Sequence, residues 1–114
     1  MSGTPFRFDV ITLFPGLLES YLSDSIIGRA IKSGRVEVST TNPRDFTTDR
    51  HRTVDDAPYG GGAGMVMMAE PLAQAIDAVR ATSSPSRVVM LSPSGRLLTQ
   101  AVVEEYATLG SIAL

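Results

Sequence analysis

The chain predicts an α/β fold, an open and mostly parallel sheet with flanking helices, on three observations. Strand-like and helix-like periodicities alternate along it, the segment at 88–91 is continuously apolar, and two special loops follow predicted strands. In such sheets ligands bind outside the carboxyl ends of the strands, so the same observations place the candidate sites.

Each element has its own warrant. Residues 6–14 read as a strand, with Phe6, Phe8 and Val10 alternating and Ile11, Leu13 and Phe14 closing it before Pro15 and Gly16 break the pattern. Over residues 17–32 the apolar Leu18, Leu22, Ile26 and Ala30 recur at helical spacing, and Gly34 stands where a helix stops. Val36, Val38 and Thr40 alternate with Glu37 and Ser39 as in a half-buried strand, which Pro43 ends. Glu70 and Pro71 open a helix running to about residue 81, with Leu72, Ile76 and Val79 on one face. The run Val88, Val89, Met90 and Leu91 is of the kind expected for a strand buried on both faces of a parallel sheet. Residues 99–109 are helical by Val102, Val103 and Tyr106, and 111–114 form a strand whose apolar residues are expected to be left exposed and unfinished. Residues 1–5 are expected to be loose, and nothing divides 6–114 into two domains.

Composition excludes several classes. With 114 residues, 43% of them hydrophobic, the chain suits one small globular domain. The absence of cysteine removes disulfides, thiolate metal sites and thiol nucleophiles. No apolar run approaches the ~20 residues of a membrane span, no leader pattern opens the chain, and the cytoplasm is the default location. A net charge of −2 argues against a generally basic nucleic-acid protein. Distribution qualifies that: nine of the ten basic residues are arginine, which binds phosphate bidentately and stacks on bases.

Three of those arginines, Arg44, Arg50 and Arg52, share one loop with Asp45, Asp49, Asp55, Asp56 and the sole histidine, His51. Tyr59 then leads into Gly60, Gly61, Gly62 and Gly64, whose freedom at positive φ lets a planar or anionic ligand approach the backbone. The plain alternatives are ion pairing within the loop and a flexible glycine connector. The cluster lacks the lysine and hydroxyl residue of a P-loop and the spacing of a dinucleotide fingerprint, which argues against nucleoside triphosphate binding. His51 has no serine, cysteine or second histidine to support catalysis and reads as an RNA contact or a loop brace. The second loop, at 91–95, leaves a predicted buried strand and precedes a helix, where backbone groups can hold the edge of a nucleotide-like ligand. Taken alone it is the ordinary turn of an α/β unit.

The run RDFTTDRHRTVDDAPYGGGAGM at 44–65, with ITLFP at 11–15, GRAIK at 28–32 and LSPSGR at 91–96, falls in one order and spacing. In these motifs the chain resembles the bacterial tRNA (guanine-N1)-methyltransferases, the TrmD-type enzymes of the knotted SPOUT class, from Phe6 onward. The resemblance implies the N-terminal part of a SPOUT-type (trefoil-knot) methyltransferase domain, truncated before the knot. It implies methyl transfer from S-adenosylmethionine to N1 of the guanosine 3′ of the anticodon in tRNA, by a homodimer, with magnesium dependence. Cofactor contacts are implied for Met90, Leu91, Ser92, Pro93, Ser94 and Gly95. Ser94 stands where the family often has a larger polar residue, so backbone contacts are expected there. Contacts to tRNA and its target guanosine are implied for Arg44, Arg50, His51, Arg52, Asp55, Tyr59, Gly60, Gly61 and Gly62. The family's general base, an aspartate, and its arginine partner match nothing in this chain, so no catalytic residue and no metal ligand is assigned, and the chain alone is expected to be inactive. The alternatives are a non-catalytic RNA- or nucleotide-binding α/β module, or a truncated product without independent function.

Overall fold

A computed structural model describes residues 4–47, 55–56 and 66–114, with the backbone alone at 55, 56 and 66. Strand β1 (Phe6–Ile11) lies at the centre of a three-stranded sheet, between β2 (Val36–Thr41) and β5 (Ser111–Ala113), and pairs with both in parallel. Helices α1 (Pro15–Leu22) and α2 (Ser25–Lys32) connect β1 to β2. A 3-10 turn (Pro43–Phe46), a two-residue antiparallel ladder of β3 (Asp55–Asp56) with β4 (Val66–Met67), and helices α3 (Ala69–Ser83) and α4 (Gln100–Ala107) complete the order.

The expected α/β architecture is present, with differences in detail. The single helix expected over 17–32 is two. Pro15, read as a strand breaker, occupies the first helical position, where its missing N–H costs nothing. The polar run Ser23, Asp24 and Ser25 then breaks the helix: Ser23 Oγ donates to the Ser20 carbonyl, and the Asp24 carboxylate accepts from the Ser25 N–H and caps α2. Gly28 is buried in the corner so formed, where a Cβ would lie 3.0 Å from the Leu22 carbonyl oxygen. At the end of α2, Gly34 takes φ +79°, donating to the Ile31 carbonyl while Arg35 N–H reaches that of Ala30. This is the glycine stop that the sequence predicts.

The two faces of the sheet differ in chemistry. Phe6 and Phe8 on β1 touch with ring centroids 4.8 Å apart, and Val38 and Thr40 line a small cavity of about 260 Å³ with Leu22, Ser23 and Ile31 of the α1–α2 region. Arg7, Asp9 and Ser39 point to the other side, where α3 packs. There Asp9, only 3% exposed, accepts from Arg7 Nε (3.1 Å), Arg7 NH2 (3.0 Å) and Ser83 Oγ (2.8 Å). Arg7 also donates to Ser39 Oγ and Glu37. The hydrogen bond to Asp9, against a smaller opposing effect of burial, raises the Arg7 pKa above its ordinary value. A cavity of about 290 Å³ adjoins this network, lined by Arg7, Asp9, Ser39 and residues of α3.

Helix α3 begins one residue before the expected Glu70, and its most buried face is Pro71, Ala75 and Val79 rather than Leu72 and Ile76, which are half-buried. Pro71 is tolerated because it lies in the first turn. The fully buried Pro43 packs where the 3-10 turn meets α3.

Two strand expectations are corrected. β1 ends at Ile11 rather than residue 14; Thr12 still donates to the Thr41 carbonyl, but its hydroxyl then accepts from Phe14 N–H and turns the chain. The apolar run at 88–91 is not a buried strand. Val88 makes one isolated parallel bridge to Ala113, supported by Val89 N–H to the Ala113 carbonyl and Ala113 N–H to the Arg87 carbonyl. Leu114, next along, directs its N–H to the Asp9 carbonyl and accepts from Ile11 N–H, the ordinary alternation of a strand with a neighbour on each side. Nor is the 111–114 strand exposed: Ile112 is 5% and Ala113 0% accessible, closed in between β1 and the 86–89 segment.

Candidate functional site

The turn that follows Val89 comes first, because it is described throughout. Leaving the edge of the sheet, residues 90–98 make a single backbone hydrogen bond among themselves, Gly95 N–H to the Ser92 carbonyl at 3.1 Å. Ser92 Oγ reinforces it, accepting from Ser94 N–H at 3.2 Å and sharing a 2.9 Å contact with Ser94 Oγ. The remaining backbone donors and acceptors of Met90, Leu91, Arg96, Leu97 and Leu98 meet no backbone partner among the described residues. Their side chains stand open as well: Met90 is 75%, Leu91 77%, Leu97 79% and Leu98 66% exposed. Four large apolar side chains flanking unspent backbone polar groups form a surface that an amphiphilic ligand or a further layer of protein would cover.

The trailing leg of the turn is fastened to α4. Thr99 caps that helix, its hydroxyl accepting from Val102 N–H at 3.3 Å. Glu105, two turns on, receives Arg87 NH1 at 3.1 Å and approaches Arg96 NH2 at 3.9 Å through the same oxygen. The Arg87 guanidinium also lies 5.7 Å from the centre of the Tyr106 ring.

The second loop leaves the carboxyl end of β2. Asn42 Oδ1 accepts from Arg44 N–H at 3.0 Å, Pro43 is buried, and Thr47 Oγ1 donates to the Arg44 carbonyl at 2.8 Å, so the backbone of Arg44 is locked at the root of the loop. Asp55 belongs to β3, paired opposite Met67. Of the other predicted substrate contacts, Arg50, His51, Arg52, Tyr59, Gly60, Gly61 and Gly62 lie outside the described residues, as do residues 1–3 of the N-terminal stretch. The predicted cofactor residues Met90, Leu91, Ser92, Pro93, Ser94 and Gly95 are brought together in one exposed turn. Among the described residues, no group of three or more His, Cys, Asp or Glu is placed to hold a metal ion, and no helix is long and apolar enough to cross a membrane.

Sequence reading missed Glu105 and Asn42. Asn42 followed by proline is a recognisable turn signature; Glu105 is one of two adjacent glutamates on α4 and carries no pattern that sets it apart.

Comparison with known proteins decides the family. The model of the tRNA (Guanine-1)-methyltransferase family, TrmD, matches residues 6–114. The chain belongs to the tRNA (guanine-1)-methyltransferase family. Among curated relatives, the tRNA (guanine-N(1)-)-methyltransferase of Chloroflexus aurantiacus is 55% identical over 109 residues, which is 95% of this chain and 43% of that protein. The protein of the same name from Methylococcus capsulatus is 50% identical over 109 residues, again 95% and 43%. The crystal structure of the tRNA (m1G37) methyltransferase from Aquifex aeolicus superposes with a TM-score of 0.81 at 37% identity, covering 96% of this chain and 49% of that one. The chain therefore spans under half the length of these tRNA (guanine-1)-methyltransferases.

Proposed function

We propose that this chain serves in S-adenosylmethionine-dependent methylation of N1 of the guanosine 3′ of the anticodon in tRNA, supplying one wall of the donor pocket and part of the surface that receives the guanosine. The observation that supports this most is the family match over 6–114, which runs through both loops. The exposed 90–98 turn fits the donor chemically. Its open backbone N–H and C=O groups suit the hydrogen-bonding edge of an adenine, and Met90, Leu91, Leu97 and Leu98 suit its flat faces. S-adenosylmethionine supplies the methyl group when bound; the residues of this chain bind and orient it, with Ser92 and Gly95 holding the turn's shape.

On the substrate side, Arg44, Arg50, His51 and Arg52 would meet phosphate and base, and Asp55, Tyr59, Gly60, Gly61 and Gly62 the target guanosine. Removal of the N1 proton requires a general base, and the charge that develops on O6 requires a donor. No residue of this chain is assigned to either task. Magnesium dependence, a homodimer with the site between subunits and a cytoplasmic location complete the reading.

A titration of S-adenosylmethionine into the ¹⁵N-labelled chain tests the donor half, and binding of unmodified tRNA transcripts carrying guanosine or adenosine at the target position tests the other. Amide shifts concentrated in 90–98, with preference for the guanosine transcript, support the proposal. Transcript binding without any donor-induced shift would favour the non-catalytic RNA-binding module instead.

A further inference from the structure

We infer that Glu105 is a positioning residue for the 90–98 turn, acting as a staple across its base through Arg87 and Arg96; its bearing on catalysis rests on the reading of that turn as the donor wall. The turn lacks the means to hold itself. Among the described residues its nine residues share one backbone hydrogen bond and two contacts through Ser92 Oγ, its apolar side chains are exposed, and the ladder that guides the chain into it stops at Val89. Among the described residues, one carboxylate oxygen reaches toward both of its legs. Glu105 Oε2 lies 3.1 Å from Arg87 NH1 on the leading leg and 3.9 Å from Arg96 NH2 on the trailing one.

The two arginines are not equivalent. Arg87 has a second hold in the Tyr106 ring and sits beside the Val88 bridge, so the leading leg is fixed independently. Arg96 makes no other ion pair among the described residues and follows Gly95 directly, so the Glu105 contact sets where the trailing leg leaves the turn. Both arginines and Glu105 are exposed, which makes the staple weak and salt-sensitive. Its effect is to narrow the range of turn conformations rather than to stabilise the fold. A ligand that needs one of those conformations binds more weakly by the fraction lost.

The test uses backbone amide relaxation over 90–98 in the whole 114-residue chain, read before any ligand is added. Glu105→Gln is expected to loosen the amides of Ser94 through Leu98 while the thermal midpoint stays within a few degrees. Arg96→Gln should do the same, and the double variant should loosen the turn no further than either single one. One molar salt should loosen the wild-type turn and leave Glu105→Gln unchanged. With S-adenosylmethionine as the probe, Kd should rise about threefold to fivefold in Glu105→Gln, the range an exposed ion pair can supply. Unchanged relaxation in Glu105→Gln, or additive effects of the two substitutions, would overturn the inference. If S-adenosylmethionine shifts no amide of the wild-type turn while the relaxation results hold, the staple stands and the donor reading fails.

Discussion

Replacing Asp9 by alanine is the sharpest probe of how this fold holds together. Asp9 is buried in the central strand and accepts three hydrogen bonds, two from the Arg7 guanidinium and one from Ser83 at the end of α3, 74 residues away in sequence. Deleting the carboxylate leaves Arg7 with Glu37 and Ser39 only, and Ser83 with its helical Val79 carbonyl. Breaking a fully buried ion pair costs about 3–5 kcal/mol. Arg7 is 27% exposed and keeps partners, so we discount this to about 2–4 kcal/mol, consistent with net values of about 1.5–3 kcal/mol per charge-assisted bond. At roughly 4 °C per kcal/mol for a chain of this size, the melting temperature should fall by about 8–16 °C. Asp9→Asn keeps the shape and one acceptor and should lose about half as much. Urea unfolding of the wild type, Asp9→Ala, Ser83→Ala and the Asp9→Ala, Ser83→Ala double mutant, with Asp9→Asn beside them, gives the coupling across the α3 contact. A change under about 0.5 kcal/mol for Asp9→Ala, or no coupling between Asp9 and Ser83, would refute the assignment of this network as the tie between α3 and the sheet.

Other predictions follow from single contacts. Gly28→Ala sets a Cβ 3.0 Å from the Leu22 carbonyl oxygen; overpacking of about 1–3 kcal/mol outweighs the ~1 kcal/mol gain in helix propensity, so urea unfolding should show a net loss. Thr99→Ala removes the α4 cap and should cost about 0.5–2 kcal/mol, with the earliest loss of amide protection in the first turn of α4. Gly34→Ala forces a Cβ onto φ +79° with no clash, so its cost is the backbone preference alone, about 1 kcal/mol by the same assay.

Most of the architecture was legible where local pattern and tertiary role agree. The alternation in β1 and β2, the stop at Gly34 and the helical spacing of α3 and α4 each depend on residues within one turn or one strand. The break between α1 and α2 was not, because Leu22 and Ile26 keep the helical period across it while Ser23, Asp24 and Ser25 read equally as a solvent face. The run at 88–91 misled for a different reason. A continuous apolar stretch signals burial without saying by what, and among the described residues only the Val88 bridge to Ala113 pairs this run. Asp9 carried no warning at all, since its burial depends on Arg7, Ser39 and Ser83 converging from three elements. At the candidate site, Pro93 and Gly95 marked the 90–95 turn although the strand expected before it is absent, whereas the proposed part of Glu105 required the two arginines to be seen in space.

The most direct test of the functional proposal exchanges the matched region. In the Chloroflexus aurantiacus relative, the 109 matching residues would be replaced by their counterparts from this chain, and single-turnover methyl transfer from labelled S-adenosylmethionine measured on unmodified tRNA transcripts. The account predicts transfer to the transcript with guanosine 3′ of the anticodon and none to its adenosine counterpart. A chimera that melts cooperatively yet transfers nothing, beside an active parent, would contradict it.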